Sequence, residues 1–273
     1  MRSSVLVVFG LLLAITVYGW REARRDPVVR RATVALPRWP NGAPPVTIAL
    51  LSDIHMESAT MDEARLSRIV AEVNGLHPDL IVLAGDFVEG RGREEAGRAL
   101  GPLSRQLSRL RAPLGVVAVL GNHDYWTDPR PVTATLSRAG IAVLRNGATT
   151  RGPIVIAGLD DQPTHHDRLR VTLSALRRLG GAGMMIAHSP DIAPRLPADV
   201  SLLLAGHTHC GQVVLPLVGA PVEVAASHYR CGMVRDGSRT TIVTAGLGTS
   251  DVPIRFGAPP DLWLVRVGPR RRP

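Results

Sequence analysis

His207 and His209 stand two residues apart in Gly206-His207-Thr208-His209, directly after the apolar run from Ser201 to Ala205. A buried strand that ends on a glycine and delivers two imidazoles is well placed to grip a metal ion. The same arrangement, an apolar run ending in a polar ligand type, occurs four more times. Ile48 to Ser52 precedes Asp53-Ile54-His55, and Leu80 to Gly85 precedes Asp86. Val116 to Leu120 precedes Gly121-Asn122-His123-Asp124, and Met184 to Ala187 precedes His188. In an open α/β sheet, ligands bind outside the carboxyl ends of the strands. An Asp, a His, an Asp, an Asn and three more His at one such edge are too many donors for one ion and suit two. Asp86 is the candidate bridge, because a hard anionic oxygen can hold two cations a few ångströms apart.

The elements that must position these residues can be read from periodicity. Met61 to Leu76 carries Leu66, Ile69, Val70 and Val73 at helical spacing, and Glu94 to Leu110 repeats the pattern. Val132 to Ala139 and Leu169 to Leu179 read as further helices, and Tyr125 to Pro129 as a loop over the site. Strand, helix, strand implies right-handed crossovers and a largely parallel first half. Ile141 to Leu144, Ile154 to Ala157, Val213 to Leu217, Thr240 to Ala245 and Leu262 to Val267 read as strands. The strand-rich second half suits a sheet packed on a second sheet. The fold class is α/β.

The ordered set Asp-x-His, Gly-Asp, Gly-Asn-His-Asp, a lone His and Gly-His-x-His resembles the calcineurin-like metallophosphoesterases, over roughly residues 46 to 267. The resemblance implies a four-layer αββα sandwich of two mixed sheets. It implies that Asp53, His55, Asp86 and His209 hold one divalent ion, and that Asp86, Asn122, His188 and His207 hold the other. The mixed donor set admits Mn, taken as the first expectation, or Fe or Zn. The ions would lower the pKa of a bridging water and clamp the phosphoryl oxygens for in-line attack. His123 is left over: by the match it protonates the leaving oxygen or steadies phosphoryl charge. Asp124 either orients that imidazole or caps the following loop. Arg255, in Pro253-Ile254-Arg255-Phe256, is a candidate for a substrate phosphate or an ordinary surface arginine. His77, His165, His166 and His228 match no motif.

The expected activity is hydrolysis of phosphodiester or pyrophosphate bonds. A membrane-associated branch of the family includes members that cleave the pyrophosphate of UDP-2,3-diacylglucosamine in lipid A synthesis, so the resemblance extends to a lipid-linked substrate. The rival readings are a nuclease or nucleotide phosphodiesterase, and a metal-binding interaction module that has lost catalysis. The net charge of +9 bears on the first rival. Residues 1–38 hold seven Arg against Glu22 and Asp26, the tail from Arg266 holds four Arg, and the remaining 21 Arg face 21 acids. The middle is neutral, so no nucleic acid is expected; the basic ends suit an anionic membrane surface.

Four segments follow: a membrane anchor over 1–20, a basic and Pro-rich linker over 21–45, the catalytic domain over 46–267, and a basic tail over 268–273. The uncharged run from Val5 to Trp20 is sixteen residues, short for a span, which needs about 20 with a lower limit near 17. Arg21, Arg24, Arg25, Arg30, Arg31 and Arg38 follow it, which places the domain on the cytoplasmic face of the inner or plasma membrane. A monomer is expected. Cys210 and Cys231 could pair once in an exported domain; a cytoplasmic one would keep two thiols.

Overall fold

Apolar runs of four to six residues build two six-stranded sheets, and longer runs of helical period cover their outer faces. The computed structural model describes residues 2–90 and 92–270. In chain order the elements are α1 (Arg2–Arg24), β1 (Val28–Ala35), β2 (Val46–Leu51), α2 (Glu63–Gly75), β3 (Leu80–Ala84), α3 (Arg93–Leu107), β4 (Val116–Val119), α4 (Asn122–Thr127), α5 (Pro129–Arg138) and β5 (Ala142–Val143). Then come β6 (Gly147–Arg151), β7 (Ile154–Gly158), α6 (Leu169–Leu179), β8 (Ala182–Ile186), β9 (Leu202–Ala205), β10 (Gly232–Asp236), β11 (Arg239–Val243) and β12 (Asp261–Gly268).

The first sheet runs β1-β12-β2-β3-β4-β5 and the second β10-β11-β9-β8-β7-β6. Both are mixed: β2, β3, β4 and β5 are parallel, as are β7, β8, β9 and β11, while β12 runs antiparallel to β2. Alternation along each strand assigns the layers. Ile48, Leu50, Val82, Val117, Met184, Ile186 and Leu204 meet between the sheets. Ala49, Leu51, Ile81 and Leu83 face outward onto Leu66, Ile69, Leu103 and Leu136 of the helices. On the other side Val155, Met185 and Leu203 pack with Leu173 and Leu176 of α6. Helices thus flank two stacked sheets, as expected. The carboxyl ends of β2, β3 and β4 in one sheet and of β8 and β9 in the other open toward the chemistry-bearing segments.

Two expectations are corrected, the linker and one strand, and the span is narrowed. Residues 28–35, read as linker, form β1, which pairs parallel with β12 along all eight residues from Val28–Asp261 to Ala35–Gly268. Its Arg30 is held by Asp261 at 2.5 Å, and Val34 is buried, so an apolar alternation lay under the charges. Among the described residues no helix is long and apolar enough to cross a membrane. The uncharged stretch of α1 gives way to Arg21, Glu22 and Arg24, and the last turns dock on the domain. Ala23 is buried, Arg24 pairs with Asp62 at 2.7 Å, and Tyr18 meets Phe256 edge to face at 5.6 Å. Finally, Val213 to Leu217 is a loop, touching other backbone only through bridges such as Val213–Phe256. The place beside β11 that it could have taken is filled by β10. In the basic tail, Arg271, Arg272 and Pro273 lie outside the described residues.

Candidate metal centre

Each strand end hands over its polar residue through a sharp turn. Asp53, His55, Asp86, His207 and His209 have φ of 52, 47, 56, 71 and 48°, the left-handed region that costs a side chain with a Cβ about 1–3 kcal/mol. Five such residues in one cluster persist only because the surroundings fix them. The turns after β2 and β3 bond to each other, Asp53 N–H to Gly85 O at 3.0 Å and His55 N–H to Asp86 O at 3.1 Å. Gly206 has to be a glycine here: a Cβ on it would lie 2.0 Å from Ser52 Oγ and 2.5 Å from Asp53 Oδ2.

The side chains converge in three overlapping groups whose donor atoms lie within 4.8 Å of one another: Asp53, His55 and His209; Asp86, His188 and His207; and His55, Asp86 and His123. Asp86 belongs to two of them. One of its oxygens, Oδ1, accepts the His123 backbone N–H at 2.9 Å, while Oδ2 faces His188 Nε2 at 3.1 Å and His55 Nε2 at 3.7 Å. Asn122 Oδ1 lies 3.1 Å from His188 Nε2, and His207 Nδ1 is 3.2 Å from that same nitrogen. On the other side His55 Nε2 and His209 Nε2 are 3.1 Å apart, with Asp53 Oδ1 3.4 Å from the latter.

A cation fits this arrangement. His188 Nδ1 donates to Ala84 O at 2.7 Å, which leaves Nε2 to face the Asp86 and Asn122 oxygens. Asp53 Oδ1 is buried with no hydrogen-bond partner, which is costly for an anion without a positive charge near it. Burial pushes the His55 and His207 imidazoles down to about 3, and His209 well below its usual range. All three are therefore neutral with lone pairs free at physiological pH. Burial raises Asp53 to about 6, opposed by the His188 charge. For His188 and Asp86 burial is outweighed by their mutual attraction, which holds the imidazole well above and the carboxyl well below their ordinary values. A proton there occupies a place that a divalent ion could take.

The remaining candidates have definite positions. His123 donates Nδ1–H to Glu89 O at 2.5 Å, and its Nε2 lies 3.3 Å from Ser250 Oγ. Asp124 does not touch that ring. Its carboxylate accepts from Asp86, Phe87 and Gly121 N–H at 3.1, 2.9 and 2.9 Å, so it clamps two ligand turns to the start of α4. Arg255 is fully buried, with hydrogen bonds to the carbonyls of Ala245, Gly248 and Ala258 and its Nη2 3.2 Å from His209 Nδ1. It stands behind the centre rather than at its mouth, which corrects the expectation of a phosphate contact. Of the unmatched histidines, His77, His165 and His228 are exposed, and His166 stacks on Tyr125 at 3.9 Å.

Sequence reading missed Glu89 and Ser250. Glu89 Oε2 lies 3.5 Å from His55 Nδ1, which places a carboxylate behind a candidate ligand. Its only sequence signal is an acid three residues after Asp86. The centre opens into a cavity of about 290 Å³ with Asp86, Asn122, His123, His207 and His209 in its wall.

Residues 46–211 match the family described as calcineurin-like phosphoesterase. A metallophosphoesterase of Bacillus subtilis strain 168, YkuE, is 34% identical over 82% of this chain and 80% of its own. A metallophosphoesterase of Aquifex aeolicus is 31% identical over 88% of this chain and 91% of its own. A Danio rerio transmembrane protein with metallophosphoesterase domain is 29% identical over 94% of this chain. The chain spans only 61% of that relative's length.

Proposed function

The chain belongs to the calcineurin-like phosphoesterase family, a metal-dependent phosphoesterase, and on that premise we propose that it hydrolyses phosphodiester or pyrophosphate bonds at a dinuclear centre. The observation that carries the reading is Asp86 Oδ2 set between His55 Nε2 on one side and His188 Nε2 on the other, beside an open cavity. Asp53, His55, Asp86 and His209 would hold one ion, and Asp86, Asn122, His188 and His207 the other. The set is imidazole, carboxylate and amide without thiolate, which suits Mn, Fe or Zn. Two bound divalent ions supply an acidified water and neutralise phosphoryl charge.

The chain's own residues do the rest. Asp86 offers one oxygen to both groups because its other oxygen is occupied by the His123 N–H. His123 has its Nδ1 proton committed to Glu89 O, so Nε2 is the atom that can give or take a proton at the cavity. Ser250 Oγ beside it keeps that nitrogen hydrogen-bonded until a substrate oxygen replaces the hydroxyl. Glu89 stands behind the His55 ring at 3.5 Å. The same reading takes α1 as a membrane attachment and the substrate as lipid-linked. Support comes from the exposed apolar side chains of α1 and from the name of the Danio rerio relative.

The test is the full chain, stripped of metal and reconstituted with Mn, Fe or Zn, against phosphodiesters, phosphomonoesters, nucleotide-sugar pyrophosphates and their lipid-linked forms. Metal-dependent turnover of a diester or pyrophosphate is expected, with little on monoesters. Turnover that survives metal removal would refute the dinuclear reading.

A further inference from the structure

The cavity that the metal centre opens into has a second wall of a different chemistry. Trp126, Val213, Pro221, Val222, Val224 and Val252 line it, and all but Val213 are exposed. Four belong to the segment Val213 to Ala226, where Glu223 is the only charged residue, and it is paired with Arg230 at 3.1 Å. Farther along the segment a tight turn is closed by Leu215 N–H to Gly219 O at 2.8 Å and Gly219 N–H to Leu215 O at 2.9 Å. At its tip Leu217 is fully exposed, with Val218 beside it 72% exposed. Leu217 has φ 66°. A turn that needed only its geometry would use Gly or Asn there, because a branched side chain is disfavoured in the left-handed region. A leucine held in that conformation and in water does nothing for folding.

The root of this segment is also the docking point of α1. Val214 N–H bonds to Phe256 O, Phe256 N–H to Gln212 O, and Arg255 N–H to Gly19 O. Gly19 fits against Ile254 so closely that a Cβ would lie 3.1 Å from it. From that point α1 carries Phe9, Leu11, Leu12, Leu13 and Ile15, each more than half exposed. Three consecutive positions span some 200° of the helix, so the apolar surface is not a single stripe that one groove could cover. A helix apolar on all sides is matched by a hydrocarbon solvent. The apolar run of sixteen residues reaches about 24 Å at ~1.5 Å per residue, enough to enter a bilayer core without crossing it. Arg21, Arg25 and Arg31 at its base are exposed and suit anionic headgroups.

We propose that the turn Leu215–Gly219 and the apolar wall behind it form a second lipid contact, so that chain and bilayer meet at two adjacent points and the mouth of the metal centre faces the membrane surface. The occupant is an anionic lipid bilayer. The apolar wall then receives the non-polar part of an amphipathic phosphoester while its phosphorus lies at the metal centre. That last step rests on the phosphoesterase reading; the lipid contact does not.

The experiment uses the full chain with vesicles of phosphatidylcholine containing phosphatidylglycerol. Leu217→Cys labelled with an environment-sensitive fluorophore reports the tip independently of α1. On vesicles the emission should shift to the blue and iodide quenching should fall at least fivefold. Unchanged emission on vesicle-bound protein overturns the proposal. The double variant Leu217→Asp, Val218→Asp should bind vesicles at least tenfold more weakly, yet hydrolyse the soluble ester bis(p-nitrophenyl) phosphate like the parent when no lipid is present. Equal vesicle binding overturns the proposal, as does a parent that self-associates without lipid through this surface while the double variant does not. Loss of soluble-ester hydrolysis in parent and variant alike, with the fluorescence shift intact, would remove the phosphoesterase reading and leave the lipid contact standing.

Discussion

At the residue scale, the division of labour between Asp86 and its neighbours makes separable predictions. Asp86 presents one oxygen to both donor groups, so Asp86→Ala should empty both metal positions. His55 lies on the side of Asp53 and His209, away from His188 and His207, so His55→Ala should weaken chiefly one. Elemental analysis of each purified variant reads this directly; two full equivalents retained by Asp86→Ala would exclude the shared role. His123 is held by a carbonyl on one nitrogen and faces the cavity with the other. His123→Ala should therefore keep its metals and lose about 10²–10⁴-fold in rate, the usual range for a placed proton donor. The loss should shrink for esters with acidic leaving groups, which depart without a proton. An equal loss across a leaving-group series would make the imidazole a charge stabiliser instead. The candidate ligands were legible in sequence because each follows an apolar run that can only be a strand. Glu89 and Ser250 were not, since their roles depend on how loops after different strands meet. Arg255 misled because a lone arginine near a glycine turn reads as surface, whereas here a shell of carbonyl oxygens makes its burial tolerable.

At the scale of elements, the parts that were legible are those where one period dominates. The buried strands β2, β3, β4, β8 and β9 and the helices α2 and α6 fall where the apolar pattern puts them. The pattern fails where a segment's surroundings decide. β1 is arginine-rich and still pairs along its whole length because β12 offers it an edge. Val213 to Leu217 is apolar throughout, yet lies in a loop because β10 already occupies the edge of the second sheet. Tyr125 to Pro129, read as a loop, instead carries the end of α4 and the start of α5, with Asn122, His123 and Asp124 in the first turn of α4. That helix start is tied to the ligand turns by one side chain. Asp124 is fully buried and satisfies three backbone N–H groups from two segments. Asp124→Ala would leave all three unpaired, at roughly 1–3 kcal/mol for a buried unsatisfied group, so a total loss of about 3 kcal/mol or more is expected. Denaturant unfolding of the metal-free protein should show it as a lower midpoint at unchanged slope. A variant as stable as the parent would mean that water replaces the carboxylate.

At the scale of the whole molecule, two features disagree about the compartment. The arginines after the apolar run argue for a domain kept in the cytoplasm, where Cys210 and Cys231 would be thiols. In the structure the two cysteines are joined in a disulfide, and the expectation of thiols is corrected. The bond ties the short helical turn His209–Gly211, which carries a candidate ligand, to the residue before β10. A hydrogen bond from Thr208 Oγ to Arg230 O at 2.7 Å runs alongside it. Cys210 itself has φ 55°, so the cross-link braces a turn in the left-handed region next to His209. Closing a loop of 21 residues is worth about 3 kcal/mol in the chain-entropy account. A bond with that role persists in an oxidising compartment and is reduced in a reducing one, so the redox state of the two cysteines reads the compartment. The expected outcome is that neither cysteine in protein freshly extracted from cells is alkylated until a reductant is added. Cys210→Ser with Cys231→Ser should lower the unfolding temperature as much as reductant lowers the parent's, and should weaken metal retention on the His209 side more than on the His188 side. Immediate alkylation of both thiols in a fully active enzyme would put the domain back on the reducing side and make the brace dispensable.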